Sequence, residues 1–207
     1  GTIGFLLEET IHRGLPFTAR EIEEIRAEDL RLLPELSVDA QAYVDKMPAN
    51  FRIVGFLKSI YPECKIVNVR RDPRDIALSM FQAHFSSSAL NYTYDRKAMS
   101  DYFNLYARMM QHWHKVFPGQ IYDIHYEALV GDIEGEGRKL AGHCGIEWSS
   151  QMASPDQTTS QVLTMSANQL RKPIHTQSIG KWRDRQKLLA PFLQGLDRAL
   201  WPEVETE

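Results

Sequence analysis

The stretch KIVNVRRDPRDIALSMF, residues 65–81, decides the fold reading. Ile66, Val67 and Val69 form a β-rich run of the length expected for a buried strand. Asp72-Pro73 follows at once, giving an N-cap side chain and a residue whose fixed φ suits a first helical turn. Ile76, Ala77, Leu78, Met80 and Phe81 carry the helix on to about Phe85. In parallel sheets ligands bind outside the carboxyl ends of the strands, and that is where Arg70 and Arg71 stand. A helix start beside them adds free N–H groups and a positive dipole end. Two readings are open. Arg71 and Ser79 grip one phosphate from two sides, or Arg71 pairs with Asp72 or Asp75 while Ser79 bonds back to the Asp75 carbonyl.

Outward from this unit the chain alternates strand and helix. Residues 18–33 space Ile22, Ile25, Leu30 and Leu33 helically, with Thr18 as cap and Glu21 three later. Ala42-Tyr43-Val44 is a short strand candidate, and residues 48–60 read as a helix stopped by Pro62. Residues 99–117 form a long helix whose Met109, Met110 and Trp113 read as packing surface. Residues 121–126 are a further strand, and 134–144 a helix ended by Gly145. This order predicts an α/β fold, a central parallel sheet flanked by helices on both faces. Lys46 lies on the same strand-end rim, either as a point charge for an anionic group or as a surface Lys paired with Asp45. Tyr126 closes its strand, either as a donor to a ligand phosphate or as a core-edge tyrosine with a wet hydroxyl.

The 207 residues carry 24 basic and 27 acidic side chains, a formal charge of −3. Length and a 43 % hydrophobic content suit one globular domain and exclude disorder or collagen-like repeats. No apolar run approaches the roughly 20 residues that span a bilayer. Cys64 and Cys144 make neither a disulfide framework nor a four-ligand zinc site, so a reducing compartment is expected, cytoplasmic in a bacterium. The charge is segregated. Residues 1–40 hold nine acids against four arginines, whereas 171–187 hold six basic residues against one acid. That second basic segment and Lys65, Arg70, Arg71 and Arg74 either meet around an anion or form two solvated surfaces. His112 and His114 are two apart on a helix and make poor co-ligands, and no metal site is read. Asn91-Tyr92-Thr93 matches a glycosylation acceptor without secretory signals beside it. Neither GxGxxG nor GxxxxGK[ST] occurs.

Seven motifs then fall in one order between residues 42 and 193. They are Asp45 to Phe51, Arg70 to Asp75, Ser79 at its fixed spacing after Arg71, Met110 to Trp113, Tyr126 to Val130, Ser166 to Ile174, and Ser178 to Trp182. The chain resembles the sulfotransferases, above all the bacterial enzymes fused to tetratricopeptide repeats and the tyrosylprotein sulfotransferases. The resemblance implies a three-layer fold like that of P-loop NTPases. It implies transfer of a sulfuryl group from 3′-phosphoadenosine-5′-phosphosulfate to a hydroxyl of a protein tyrosine, a carbohydrate or a small molecule, leaving adenosine 3′,5′-bisphosphate without a metal. By that similarity Arg71 and Ser79 hold the 3′-phosphate and Tyr126 meets the nucleotide. Ser166, Arg171, Lys172 and Lys181 belong to the loop over the cofactor, and Lys46 and Ser166 stabilise the transition state. Loose transfer transition states need fixed cations and donors more than covalent help. Partners are then the nucleotide and a hydroxyl acceptor, with no nucleic acid; a homodimer is left open.

The departures bound the reading. The family's Pro-x-Ser-Gly-Thr-Thr-like phosphosulfate loop is not found, and family order puts it and the first strand upstream of Gly1. Residues 1–207 are thus expected to be one sulfotransferase domain, N-terminally incomplete. The tyrosylprotein family's general-base glutamate falls near or before this start, and neither Glu8 nor Glu9 is assigned that role. Ala83 stands where that family has a further arginine. A P-loop-related kinase and a non-catalytic module binding adenosine bisphosphate are the rivals.

Overall fold

The computed structural model describes residues 16–36, 42–85, 87–154 and 174–204. Contacts divide the chain into two units, Gly1–Cys64 and Lys65–Glu207.

In the first unit, α1 (Ala19–Leu36) begins with the expected reciprocal cap. Thr18 Oγ1 accepts from the Glu21 amide at 3.2 Å, and Glu21 Oε2 accepts from the Thr18 amide at 2.8 Å. A 3₁₀ turn over Pro48–Arg52 leads into α2 (Val54–Ile60), so the single helix read over 48–60 is two pieces. Tyr61 ties the helices, its hydroxyl donating to Asp29 Oδ2 at 2.6 Å. Burial, reinforced by the Asp29 carboxylate, pushes the Tyr61 hydroxyl pKa well above its usual value. Lys58, 9 % exposed, donates to the carbonyls of Pro62 and Cys64 and closes the end of α2. The strand expected at Ala42-Tyr43-Val44 does not form. All three residues are exposed, and no described strand offers this run a ladder to pair with.

The second unit holds β1 (Ile66–Arg70) and β2 (Ile121–His125), paired in parallel from Ile66↔Ile121 to Arg70↔His125. Parallel strands need a long crossover, here α3 (Pro73–Gln82), a 3₁₀ segment (Ser88–Tyr94) and α4 (Arg96–Val116). Asp72 caps α3 by accepting from the Arg74 amide at 2.8 Å, with Pro73 at the first helical position, as the Asp-Pro pair predicts. β2 stops at His125, and Tyr126 opens a short helix, α5 (Tyr126–Gly131), rather than ending the strand. After it α6 (Ile133–Cys144) is capped by Asp132 and ends on Gly145, whose φ of 71° is left-handed.

The core lies between α3, α4 and α7 (Gln186–Gly195), where Ala77, Leu78, Met99, Phe103, Leu189 and Phe192 are buried. Phe103 and Phe192 meet edge to face with centroids 5.1 Å apart. A Cβ on Gly195 would collide with Ser100 Oγ, so this glycine permits the close approach of α4 and α7. Buried Asn104 fixes the end of α7, donating to the Gly195 carbonyl at 2.8 Å and accepting from the Asp197 amide at 2.9 Å. The fold is thus α/β, with a small parallel sheet and many helices. Cys64 and Cys144 are free thiols. No described helix is long and apolar enough to cross a membrane.

Candidate functional site

A cleft of about 450 Å³ opens at the carboxyl ends of the two strands. Arg70 and Arg71 leave β1 into it, His125 and Glu127 leave β2, and Gly180 and Arg183 come from the segment that precedes α7. Asp72, Arg74, Ile179 and Glu203 complete the wall. Strand ends facing a cleft are where α/β sheets bind ligands, because helix starts turn free N–H groups toward that side. The two basic segments read as separate in the sequence here contribute four arginines to one wall.

Those arginines differ in what holds them. Arg70 donates to Glu203 Oε1 at 3.0 Å, with both side chains over one-third exposed, an ion pair of the screened surface kind. Arg74 is buried at 5 % exposure, forks onto Asp72 with contacts of 2.8 to 3.2 Å, and lies 3.8 Å from the centre of the Trp182 ring. Arg71 has no carboxylate partner among the described residues. Its Nη2 donates to the Ser178 carbonyl at 2.6 Å, and its guanidinium lies 4.6 Å from the centre of the Tyr126 ring. Its Nε–H is buried with no acceptor among the described residues. Leaving such a donor unpaired costs on the order of 1–3 kcal/mol, more for a charged group, so the site fits an incoming anionic oxygen.

Around Arg71, further bonds join the two strand exits and tie α3 to the segment before α7. Glu127 Oε1 accepts from the Asp72 amide at 2.9 Å, joining the exits of the two strands. Asp75, the residue weighed as a partner for Arg71, instead accepts from the Gly180 and Trp182 amides at 2.6 and 3.0 Å. Gly180 takes a φ of 74° and Lys181 then opens a 3₁₀ turn, Lys181–Arg185. Neither pairing proposed for the ordinary reading of Arg71 forms, because Asp72 is taken by Arg74 and Asp75 by backbone amides.

The structure brings Arg71 and Tyr126 together and ties the Ser178–Trp182 segment, with exposed Lys181 inside it, to both strand exit and α3. Ser79 is exposed on α3, makes no hydrogen bond among the described residues and does not line the cleft. The apolar neighbours in sequence concealed this, because Ala77 and Leu78 face the core while Ser79 turns away. Lys46, in the other unit, is exposed; its neighbour Asp45 pairs with Asn50 Nδ2 at 2.9 Å rather than with Lys46. Ser166, Arg171 and Lys172 lie outside the described residues. Sequence reasoning missed Asp75 and Glu127 as organisers, although an acid in the first turn before an apolar run was a visible signal for Asp75. The glycosylation match loses force, since Thr93 is fully buried and donates to the Leu90 carbonyl.

Known proteins resemble this chain in sequence. A protein-family model described as "Sulfotransferase family" matches residues 17–150. An uncharacterized protein of Aquifex aeolicus is 30 % identical over 197 residues, 92 % of this chain and 26 % of that protein. An omega-hydroxy-beta-dihydromenaquinone-9 sulfotransferase of Mycobacterium bovis is 28 % identical over 108 residues, 49 % of this chain and 28 % of its own. A putative protein-tyrosine sulfotransferase of Caenorhabditis briggsae is 26 % identical over 188 residues, 84 % of this chain and 64 % of its own. The chain therefore spans about a quarter of the length of the first two and under two thirds of the third. With the family model covering more than half of its residues, this chain belongs to the sulfotransferase family.

Proposed function

We propose that residues 1–207 are a sulfotransferase domain with the three-layer, P-loop-like architecture, transferring a sulfuryl group from 3′-phosphoadenosine-5′-phosphosulfate to a hydroxyl acceptor. The observation that carries the reading is Arg71: a cation at a strand end, with no carboxylate partner among the described residues and one buried N–H left to donate. Family membership supports the reaction class, and the acceptor is a tyrosine of a protein, a carbohydrate or a small molecule. Neither rival, kinase or non-catalytic module, is favoured by the family match.

In this reading the nucleotide, when bound, supplies the sulfuryl group and departs as adenosine 3′,5′-bisphosphate. Arg71 donates its free N–H to the 3′-phosphate while the Tyr126 ring and the Ser178 carbonyl keep the guanidinium from swinging away. By the family resemblance alone Ser79, exposed on α3 outside the cleft wall, is given the second grip on that phosphate, and Lys181 with Ser166, Arg171 and Lys172 closes over it. Lys46, with Ser166, provides fixed positive charge and donors where charge accumulates in transfer, the largest contribution a protein makes to such chemistry. A base must still take the acceptor proton. The two free thiols support a reducing, cytoplasmic bacterial setting.

The test is turnover. The chain is incubated with the phosphosulfate donor and a panel of phenolic, sugar and alcohol acceptors in a chelating buffer, and bisphosphate release is measured. Acceptor-dependent release without added metal is expected. Magnesium-dependent consumption of ATP in its place contradicts the reading.

A further inference from the structure

The carboxylate of Asp75 is 2 % exposed, and no cation pairs with it among the described residues. A buried carboxyl group needs donors, and those it has are two backbone amides from a segment more than a hundred residues away: Gly180 at 2.6 Å and Trp182 at 3.0 Å. Lys181 stands between those two amides, so the Asp75 oxygens fix the backbone on either side of it. Two further contacts bind the same segment to the same helix start. Arg71 donates to the Ser178 carbonyl, and Arg74 stacks on the Trp182 ring. The left-handed φ of Gly180 lets the chain turn so that both amides face one carboxylate. A packing role alone would be met by an apolar side chain, as the neighbouring buried Ala77 and Leu78 show. The geometry is instead that of an anion-binding turn whose anion is built into the protein.

We propose that Asp75 is a positioning residue for nucleotide binding: it holds the Ser178–Trp182 turn, whose Ile179 and Gly180 line the cleft, so that Lys181 and the carbonyl that orients Arg71 are fixed beside it. This rests on the reading of Arg71 and Lys181 as nucleotide contacts. Asp75 touches no substrate itself; it acts through the turn. Its substitution therefore loosens the turn first and weakens nucleotide binding as a consequence.

The test uses the full chain with Asp75→Asn, nearly the same shape, which removes the charge and turns one acceptor into a donor facing an N–H. Hydrogen exchange at the Gly180 and Trp182 amides is expected to accelerate about tenfold or more, while α4 core amides keep their protection. Calorimetry with adenosine 3′,5′-bisphosphate is expected to show affinity lowered about tenfold, and by at least threefold less in a Lys181→Ala background. Unchanged affinity in Asp75→Asn, or an equal loss in both backgrounds as a merely structural role requires, overturns the proposal. Should the unsubstituted chain bind no bisphosphate, the nucleotide reading falls and the proposal with it, whereas the exchange measurement still reports the turn. If Asp75→Asn does not fold, Asp75→Glu keeps both acceptor oxygens but displaces them by one methylene. A threefold or greater loss of bisphosphate affinity is then expected, and unchanged affinity overturns the proposal.

Discussion

Arg71 carries one buried N–H that no described residue accepts, and that single unmet donor separates it from Arg70 and Arg74, whose charges are answered by Glu203 and Asp72. Sequence alone could name Arg71 but could not tell these three arginines apart by their partners. Spacing reports which residues are near one another along the chain, whereas pairing is decided by where side chains turn after folding. Ser79 teaches the same lesson in reverse, an apolar sequence context that becomes an exposed position once the helix chooses its buried face. Lys46 is tested at this scale. Lys46→Ala is expected to lower kcat about a hundredfold or more while bisphosphate affinity changes by less than about threefold, because a group acting on charge that develops during transfer contributes little before it. Steady-state kinetics set beside calorimetry checks the split, and parallel losses in both would contradict it.

The elements with strong local signals were legible: the Thr18 and Glu21 cap, the β-rich run before Asp72-Pro73, and the Gly145 stop all lie where local chemistry predicts. The elements misread lacked such signals. Ala42-Tyr43-Val44 had β-branched and aromatic character but no partner strand among the described residues, and strand formation depends on a neighbour that a short run cannot announce. Cap chemistry also sets a pH dependence. Asp95 caps α4 by accepting from the Ala98 and Lys97 amides, which hold its carboxyl below the usual carboxylate range. Its folded pKa is depressed, so its contribution is present above the unfolded value and is lost as pH falls through the folded one. Asp95→Asn is expected to be less sensitive than the parent chain to acid between about pH 4 and pH 2, measured as the difference in melting temperature across that window.

At the scale of the whole molecule, the segregated charge was the most informative global feature of the sequence. Averages over 207 residues gave a charge of −3, yet the folded second unit gathers arginines from both basic segments into one wall. Its core sits behind that wall, with Phe192 fully buried against Phe103. Phe192→Ala is expected to destabilise the unit by about 3–5 kcal/mol, read from urea denaturation, since it both removes apolar contact and leaves a cavity. A ligand that binds only the folded state stabilises it by mass action, about 2.7 kcal/mol at a hundredfold excess over Kd, so thermal unfolding reports the cleft directly. The decisive measurement is the melting temperature of the chain and of Arg71→Ala with and without adenosine 3′,5′-bisphosphate. A rise in the unsubstituted chain that is abolished in Arg71→Ala is the expected result; an equal rise in both would contradict the assignment of this cleft to the nucleotide's 3′-phosphate.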